Sequence, residues 1–428
     1  MNIKELHNLF LNSKGICTDT RSLKKEQLFF SLKGENFDGN KYAKQALENG
    51  ASYAIVDNDN YTTEKCILVN DCLTKLQELA NYHRNYLDVK IIGLTGSNGK
   101  TTTKELINAV LQTQYNTTAT IGNLNNHIGV PLTLLNMNNN TEIGIVEMGA
   151  NHLKEIDLLS TISNPNYGYI TNIGKAHLEG FGSEENILVA KTELYKNIKK
   201  QNGIVFLNND DEKLTKEAKG IKTIRFSKTE ENGYKIAHLS TDPFVKVKYR
   251  NTTITSKLIG DYNFTNIAAS IAIGLHFNIS IEKIKKAIES YTPTINRSQL
   301  IETSHNNNII LDAYNANPTS MVAALSNFLK KEENRKTVLI LGDMFELGVY
   351  SEKEHQNIVD IITKNTDDIN VFLIGKHFYK TNVTSTNITK HKTTHSLIEE
   401  LKTTQLINSK ILIKGSRGMK LEQSVDYL

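Results

Sequence analysis

The sequence predicts an α/β protein of three domains: a small α/β N-terminal domain, a central P-loop domain on a doubly wound, mainly parallel sheet, and a C-terminal Rossmann-like αβ domain. Three observations carry this. A chain of 428 residues exceeds one hydrophobic core, on a prior of roughly 150 residues per domain. Short apolar runs alternate with helical patterns in residues 86–297 and again in 298–428. Finally, the run Ile92-Gly-Leu-Thr-Gly-Ser-Asn-Gly-Lys-Thr-Thr-Thr103 joins an apolar strand to an amphipathic helix through a glycine-rich loop, as a phosphate cradle requires.

The elements follow in order. Residues 1–85 hold β-like runs at 28–32 and 53–56 between glycine and asparagine turns, which define a small first unit. Val89, Ile91, Ile92 and Leu94 then form a strand, and Leu106, Ile107, Val110 and Leu111 recur at helical spacing beyond the loop. Apolar runs at 143–146, 167–170 and 204–207 each end in a polar loop, the pattern of a parallel sheet with its ligand edge at the carboxyl ends of the strands. A third set of strands, at 309–311, 338–341, 371–374 and 411–413, makes the last domain.

Composition excludes several classes. Hydrophobic residues at 39% and charged residues at 22% are ordinary for a folded globular chain, which argues against disorder. A net charge of +4 with scattered basic residues leaves no footprint for nucleic acid. Cys17, Cys66 and Cys72 have no metal-type spacing and read as plain thiols of a reducing compartment. No signal core follows Met1, and no stretch approaches the ~20 apolar residues of a membrane span, so a cytoplasmic protein without membrane insertion is expected, by default a monomer.

The chemistry concentrates at strand ends. Gly96 and Gly99 let the backbone curl so that N–H groups and a helix terminus face one anion, while Lys100 reaches terminal phosphates and Thr101 suits Mg²⁺. Leu94 stands where the general motif has its first glycine, so this is a variant of the loop. Glu147 follows the run at 143–146, where P-loop domains hold a metal or its water. His177 lies beyond a neighbouring strand, with a ligand role and a structural role equally open, and Glu179 reads as a solvated carboxylate. Lys191, by pattern alone, is a surface lysine on a helix. In Leu311-Asp-Ala-Tyr-Asn-Ala-Asn-Pro-Thr-Ser320, helix capping explains Asn317 and Pro318 but not Asp312, Tyr314 or Asn315. Asp343, Lys414 and Arg417 follow strands in glycine-rich segments and are expected to gather around an ion in one crevice.

Together with Cys17-Thr-Asp-Thr-Arg-Ser22, Leu32-Lys-Gly-Glu-Asn-Phe-Asp-Gly39 and Gly122-Asn-Leu-Asn-Asn-His-Ile-Gly-Val-Pro-Leu132, these segments resemble the Mur ligase family over nearly the whole chain. The P-loop is shared with folylpolyglutamate synthetases. The strings Asp-Ala-Tyr-Asn-Ala-Asn-Pro, Leu-Gly-Asp-Met and Lys-Gly-Ser-Arg-Gly-Met are more selective, for members that join D-alanyl-D-alanine to UDP-muramoyl-tripeptide. The resemblance implies ATP as co-substrate, two Mg²⁺ ions and an acyl phosphate, with catalytic roles for Lys100, His177 and Lys191. It implies an ATP site of Gly96, Ser97, Asn98, Gly99, Lys100, Thr101 and Thr102 together with Asn263, Asn266, Arg297, Asp312, Tyr314, Asn315 and Asp343. Metal ligation falls to Thr101, Glu147, His177 and a carbamylated Lys191. Substrate contacts fall to Thr18, Asp19, Thr20, Arg21 and Ser22, to Phe37, Asp38 and Gly39, to Asn125, Asn126 and His127, and to Lys414 and Arg417.

By the same resemblance, residues 1–85 bind the UDP-muramoyl peptide, 86–297 bind ATP and 298–428 form the ligase domain. Tyr262 and Asn296 depart from the His and Gly usual beside Asn263 and Arg297. A sister amide ligase with another amine is the nearest rival reading. A nucleotide-binding regulatory module is the rival from another class, disfavoured by Lys100, Thr101, Glu147, His177 and Lys191 standing together.

Overall fold

Runs of branched and aromatic residues too apolar to leave in water set three sheets, each covered on both faces. The computed structural model describes residues 1–229, 232–293, 296–330, 335–364 and 369–428. The first sheet has strands β1 (Ile16–Cys17), β2 (Leu28–Phe30), β5 (Tyr53–Val56) and β6 (Cys66–Leu68), all parallel and in that order. Every residue of β2 is buried because side chains on a strand alternate faces: Leu28 and Phe30 pack with Leu76 and Leu79 of the helix Cys72–Leu87, and Phe29 packs with Ala43 and Ala46 of the helix Ala43–Glu48. A two-stranded hairpin, β3 (Lys33–Gly34) and β4 (Phe37–Asp38), stands apart from this sheet.

The central sheet is nine-stranded. Its strands are β7 (Lys90–Thr95), β8 (Thr117–Ala119), β9 (Ile143–Glu147), β10 (Tyr167–Ile170), β11 (Ile204–Asn208), β12 (Lys222–Ser227), β13 (Tyr234–Ser240), β14 (Lys246–Tyr249) and β15 (Thr252–Thr255). They lie in the order β15-β14-β13-β12-β11-β10-β7-β9-β8, parallel from β8 to β13 and antiparallel among β13, β14 and β15. On β7, Ile91 faces the apolar cluster that continues from the first domain, while Ile92 and Leu94 face the cluster of the helices Lys100–Leu111 and Asn263–His276. The strand order reverses beside β7, which puts the loop after β7 at the switch point where ligands of such sheets bind.

The last sheet follows the order β16 (Gln299–Glu302), β17 (Asn308–Asp312), β21 (Ser409–Lys414), β18 (Lys336–Gly342), β19 (Ile369–Ile374) and β20 (Ile388–His391). Only the pair β16 and β17 is antiparallel. One of its two apolar clusters takes in Leu178, Phe181, Ile187 and Ala190 of the central domain beside Met321, Met344 and Leu347, so the two domains share a core. Among the described residues no helix is long and apolar enough to cross a membrane.

Buried polar bonds fasten the first domain to the second. Arg84 donates to Ser163 O, Asn164 O and Asn166 Oδ1 at 2.9–3.2 Å. His7 and His83, each 2% exposed, meet at 3.0 Å, and His83 Nε2 lies 3.0 Å from Met137 O. The carbonyl must accept, so His83 carries its proton on Nε2 and His7 Nε2–H donates to His83 Nδ1; both rings are neutral. Burial pushes His7 down to about 4 and lowers His83 as well. The unfolded chain, with histidines near 6.5, therefore binds more protons than the folded one in acid. Stability should be complete above about pH 6.5 and fall as pH drops from there toward 4. Urea unfolding across that range should show the loss, and His7→Gln, which keeps a donor and cannot titrate, should flatten it.

Candidate active site

The loop after β7 is shaped by what presses on it. Gly96 has φ +144° and Gly99 has φ +78°; a Cβ on Gly96 would strike Thr171 Oγ1, and one on Gly99 would lie 2.6 Å from Asn266 Oδ1. Only glycine fits these positions. Ser97 Oγ donates to Gly174 O at 2.9 Å and Asn98 N–H donates to Asn172 Oδ1 at 3.1 Å, which ties the loop to the end of β10. Gly99 caps the helix Lys100–Leu111, whose first N–H groups lack partners within the helix and make an anion site. The Lys100 ammonium is folded back on Gly96 O at 2.8 Å and Ser97 O at 3.3 Å, and burial lowers its pKa.

Glu147, 1% exposed at the end of β9, is where several segments converge. Its Oε1 accepts from Thr101 Oγ1 at 3.2 Å and from Asn125 Nδ2 at 2.8 Å. Its Oε2 is buried without a hydrogen bond, 3.8 Å from the ammonium of Lys104. A buried carboxylate oxygen left over beside a threonine hydroxyl fits a hard cation. Among the described residues no three His, Cys, Asp or Glu side chains form a ready cage, so an ion here would also need phosphate oxygens and water, as Mg²⁺ does.

Lys191 is no surface lysine. It is 1% exposed, within the helix Glu184–Lys200, and its ammonium donates to Ala150 O at 3.0 Å and lies 5.1 Å from the Phe181 ring. Burial, reinforced by Lys100, holds its pKa well below the ordinary value. His177 sits at φ +53° with Nδ1 bonded to the carboxylate of Glu346 from the last domain, and that bond lowers the Glu346 pKa.

The facing wall belongs to the last domain. Lys414 pairs with Asp312 at 2.5 Å, Arg297 lies 3.7 Å over the Tyr314 ring, and Tyr262 OH bonds Ser298 Oγ at 2.6 Å. Asn296 takes the left-handed φ of +62°, a backbone that asparagine tolerates better than most residues other than glycine. Asn263 and Asn266 are linked at 2.8 Å, with Asn266 also accepting from Thr103. A cavity of about 640 Å³ lies between the walls. It brings together Ser97, Asn98, Gly99, Lys100, Thr101, Thr102, Asn125, Asn126, Glu147, His177, Asn263, Asn266, Arg297, Asp312, Tyr314, Asn315 and Lys414. Gly96 and Lys191 lie just behind this lining, the latter on Ala150.

Other expected residues stand elsewhere. Asp343, expected at the nucleotide, is 2% exposed and accepts from the N–H groups of His377 and Phe378 at 2.9 Å each, so it caps the helix Lys376–Tyr379. Arg417 is on the surface with Glu422 at 3.3 Å. The expected crevice of Asp343, Lys414 and Arg417 does not form, because each has its own partner. The 18–22 loop is exposed at Asp19 and Arg21, whose ion pair measures 2.6 Å and holds the Asp19 carboxyl down at about 2. Phe37 stacks on Tyr42 at 5.4 Å, Asp38 caps the turn starting at Gly39, and Thr18, Thr20 and Ser22 belong to the same domain, away from the cavity. His127 is exposed and meets Gln77 through its carbonyl. Sequence reasoning missed Lys104 and Glu346; both lie inside segments already singled out, and only their partners far along the chain distinguish them, Glu147 and Gly122 within the central domain for Lys104 and His177 across the domain boundary for Glu346.

A P-loop sheet facing a second αβ domain across a polar cleft, with a third domain at its flank, defines a three-domain nucleotide-dependent ligase. The chain belongs to the Mur ligase family: residues 12–91 match the Mur ligase family catalytic domain, 94–274 the Mur ligase middle domain and 296–417 the Mur ligase glutamate ligase domain. Within it the chain is of the MurF type. It is 39% identical to the UDP-N-acetylmuramoyl-tripeptide--D-alanyl-D-alanine ligase of Bacillus subtilis, over 97% of this chain and 93% of that protein. MurF from Acinetobacter baumannii superposes with a TM-score of 0.84 at 30% identity, covering 98% and 97% of the two chains. MurF from Thermotoga maritima, solved with ADP, gives 0.85 at 25% identity over 98% and 97%.

Gly99→Ala should abolish nucleotide binding measured by calorimetry while leaving the circular dichroism spectrum in place, since the added Cβ meets only the Asn266 side chain on the helix packed against the loop.

Proposed function

We infer that this chain joins D-alanyl-D-alanine to UDP-N-acetylmuramoyl-tripeptide, cleaving ATP to ADP and phosphate, to give the pentapeptide precursor of peptidoglycan. The observation that carries the reading is the single cleft in which the P-loop, Glu147 and the face of Asp312, Tyr314 and Lys414 confront one another. A carboxylate is a poor acyl donor because oxide is a poor leaving group. An oxygen of the tripeptide carboxylate attacks the γ-phosphorus, a C–O–P linkage forms, and the β–γ bond breaks to release ADP. The dipeptide amine then attacks the carbonyl carbon; the tetrahedral adduct loses a proton and expels phosphate.

The residues supply positioning and charge. Lys100 and the N–H groups at the start of its helix hold the β- and γ-phosphates. Asn263, Asn266, Arg297, Asp312, Tyr314 and Asn315 take the adenosine end. Thr101 and Glu147 would hold one Mg²⁺, with His177 and a carbamylated Lys191 serving a second; bound Mg²⁺ supplies neutralisation of phosphate charge. Burial favours the neutral Lys191 amine, whose lone pair can attack CO₂, forming an N–C bond and releasing a proton to leave a carbamate. Asn125, Asn126 and His127 lie on the segment that would carry the peptide. The 18–22 loop and the Phe37–Asp38 strand would grip the uridine diphosphate end at a distance, while Lys414, which lines the cavity, would meet the dipeptide carboxylate or the phosphates, and Arg417 would join it only by leaving Glu422.

We assign residues 1–85 to the muramoyl peptide, 86–297 to ATP and 298–428 to the amine, and place the reaction in the cytoplasm on a monomer. The three free cysteines suit a reducing compartment.

Phosphate release from ATP and Mg²⁺ should require both UDP-muramoyl-tripeptide and D-alanyl-D-alanine, with pentapeptide seen by mass. Release with another amine would assign a sister ligase, and none with any pair would leave a binding module. In CO₂-depleted buffer the wild type should lose activity and regain it with bicarbonate, whereas Lys191→Ala should stay at least about 100-fold down in both.

A further inference from the structure

The contact between His177 and Glu346 crosses the boundary between central and last domains, and nothing in the chemistry above uses it. Glu346 O also accepts from Glu179 N–H at 3.0 Å, and Tyr350 OH donates to Gly182 O at 2.8 Å. Lys175 pairs with Glu354 at 2.8 Å on the same seam. His177 and Glu346 both hold left-handed backbones, φ +53° and +60°, which side chains other than glycine seldom adopt without an enforcing environment. The apolar contacts of Leu178 and Phe181 with Met344 and Leu347 supply that environment. Two strained residues are thus presented to each other by opposite domains.

A carboxylate can only accept, so His177 carries its proton on Nδ1, and Nε2 keeps its lone pair. Among the described residues no hydrogen-bond partner is recorded for Nε2, and the side chain lines the cavity. A carboxylate behind an imidazole fixes ring orientation and tautomer and raises the basicity of the other nitrogen. We propose that Glu346 is the positioning residue of His177: delivered by the last domain, it sets the ring so that Nε2 is offered to a divalent cation in the cleft only while the two domains are docked. The inference rests on the reading that His177 serves a metal. It adds that the central domain alone does not complete that site, so phosphoryl transfer waits on the docked domain.

The test is Mn²⁺ binding to the whole protein, counted by electron paramagnetic resonance in the presence of a non-hydrolysable ATP analogue, with the ¹⁵N spectrum of His177 as a second readout. Glu346→Ala should weaken the second Mn²⁺ by roughly 10- to 100-fold and move His177 away from a pure Nδ1–H tautomer. Glu346→Gln, which keeps an accepting oxygen, should recover part of both. With Glu346 more than half exposed, at 55% of its side chain, thermal melting of each variant should stay near wild type. In a His177→Ala background the Glu346 substitutions should change Mn²⁺ binding no further. If His177→Ala leaves the second Mn²⁺ intact, the metal reading itself falls. If His177→Ala removes it while Glu346→Ala does not, or if Glu346→Ala leaves the tautomer unchanged, the positioning role is overturned.

Discussion

Glu147 is the constraint on which the rest of the site depends. A carboxylate 1% exposed would be costly if left unpaired, and three side chains from two segments converge on it. Thr101 comes from the P-loop helix, Asn125 from the loop after β8, and Lys104 from one turn further along that helix. Lys104 also donates to Gly122 O at 3.0 Å, so the same ammonium that balances the charge ties down the loop carrying Asn125 and Asn126. The P-loop helix and the loop carrying Asn125 and Asn126 are thereby registered against one buried group. The oxygen that remains without a bond is the one a cation would complete.

The second dependence is on shared packing. His177 and Lys191 flank a segment whose apolar residues are buried against the last domain rather than within their own. The central sheet fixes Lys100 and Glu147 through β7 and β9, which pair residue by residue from Lys90 with Ile143 to Leu94 with Glu147. It does not by itself fix His177. The site therefore has a rigid half at the switch point of the sheet and a half that is built where two domains meet. Such a division suits a ligase, because cleavage of ATP before the amine is in place would waste the acyl phosphate.

The rigid half was legible in the sequence. Apolar runs such as the one now in β7, followed by Gly-Ser-Asn-Gly-Lys, admit few structures, and Asn317 with Pro318 ahead of residues at helical spacing marks a helix start; the structure shows that helix as Pro318–Phe328 with a capping box. Strands β14 and β15 escaped a reading built on continuous apolar runs, because each is four residues long and has polar residues beside its buried ones, as suits an antiparallel edge. By pattern alone Lys191 reads as a surface residue, since helical spacing does not show that Ala150 and Phe181 of the same domain cover it. Asp343 was misplaced for a related reason. An acidic residue after a strand looks like a ligand group until the N-terminus of the helix Lys376–Tyr379, a distant segment in sequence, is seen to turn its N–H groups onto it.

The central claim is that one cleft first phosphorylates a carboxylate and then forms the amide. The most direct measurement labels the terminal carboxylate of UDP-muramoyl-tripeptide with ¹⁸O, runs the complete reaction, and weighs the released phosphate. An acyl phosphate leaves one carboxylate oxygen on phosphorus, so the account predicts phosphate carrying a single ¹⁸O from the peptide. Phosphate free of that label would mean that ATP was hydrolysed by water without activating the carboxylate, and would contradict the account.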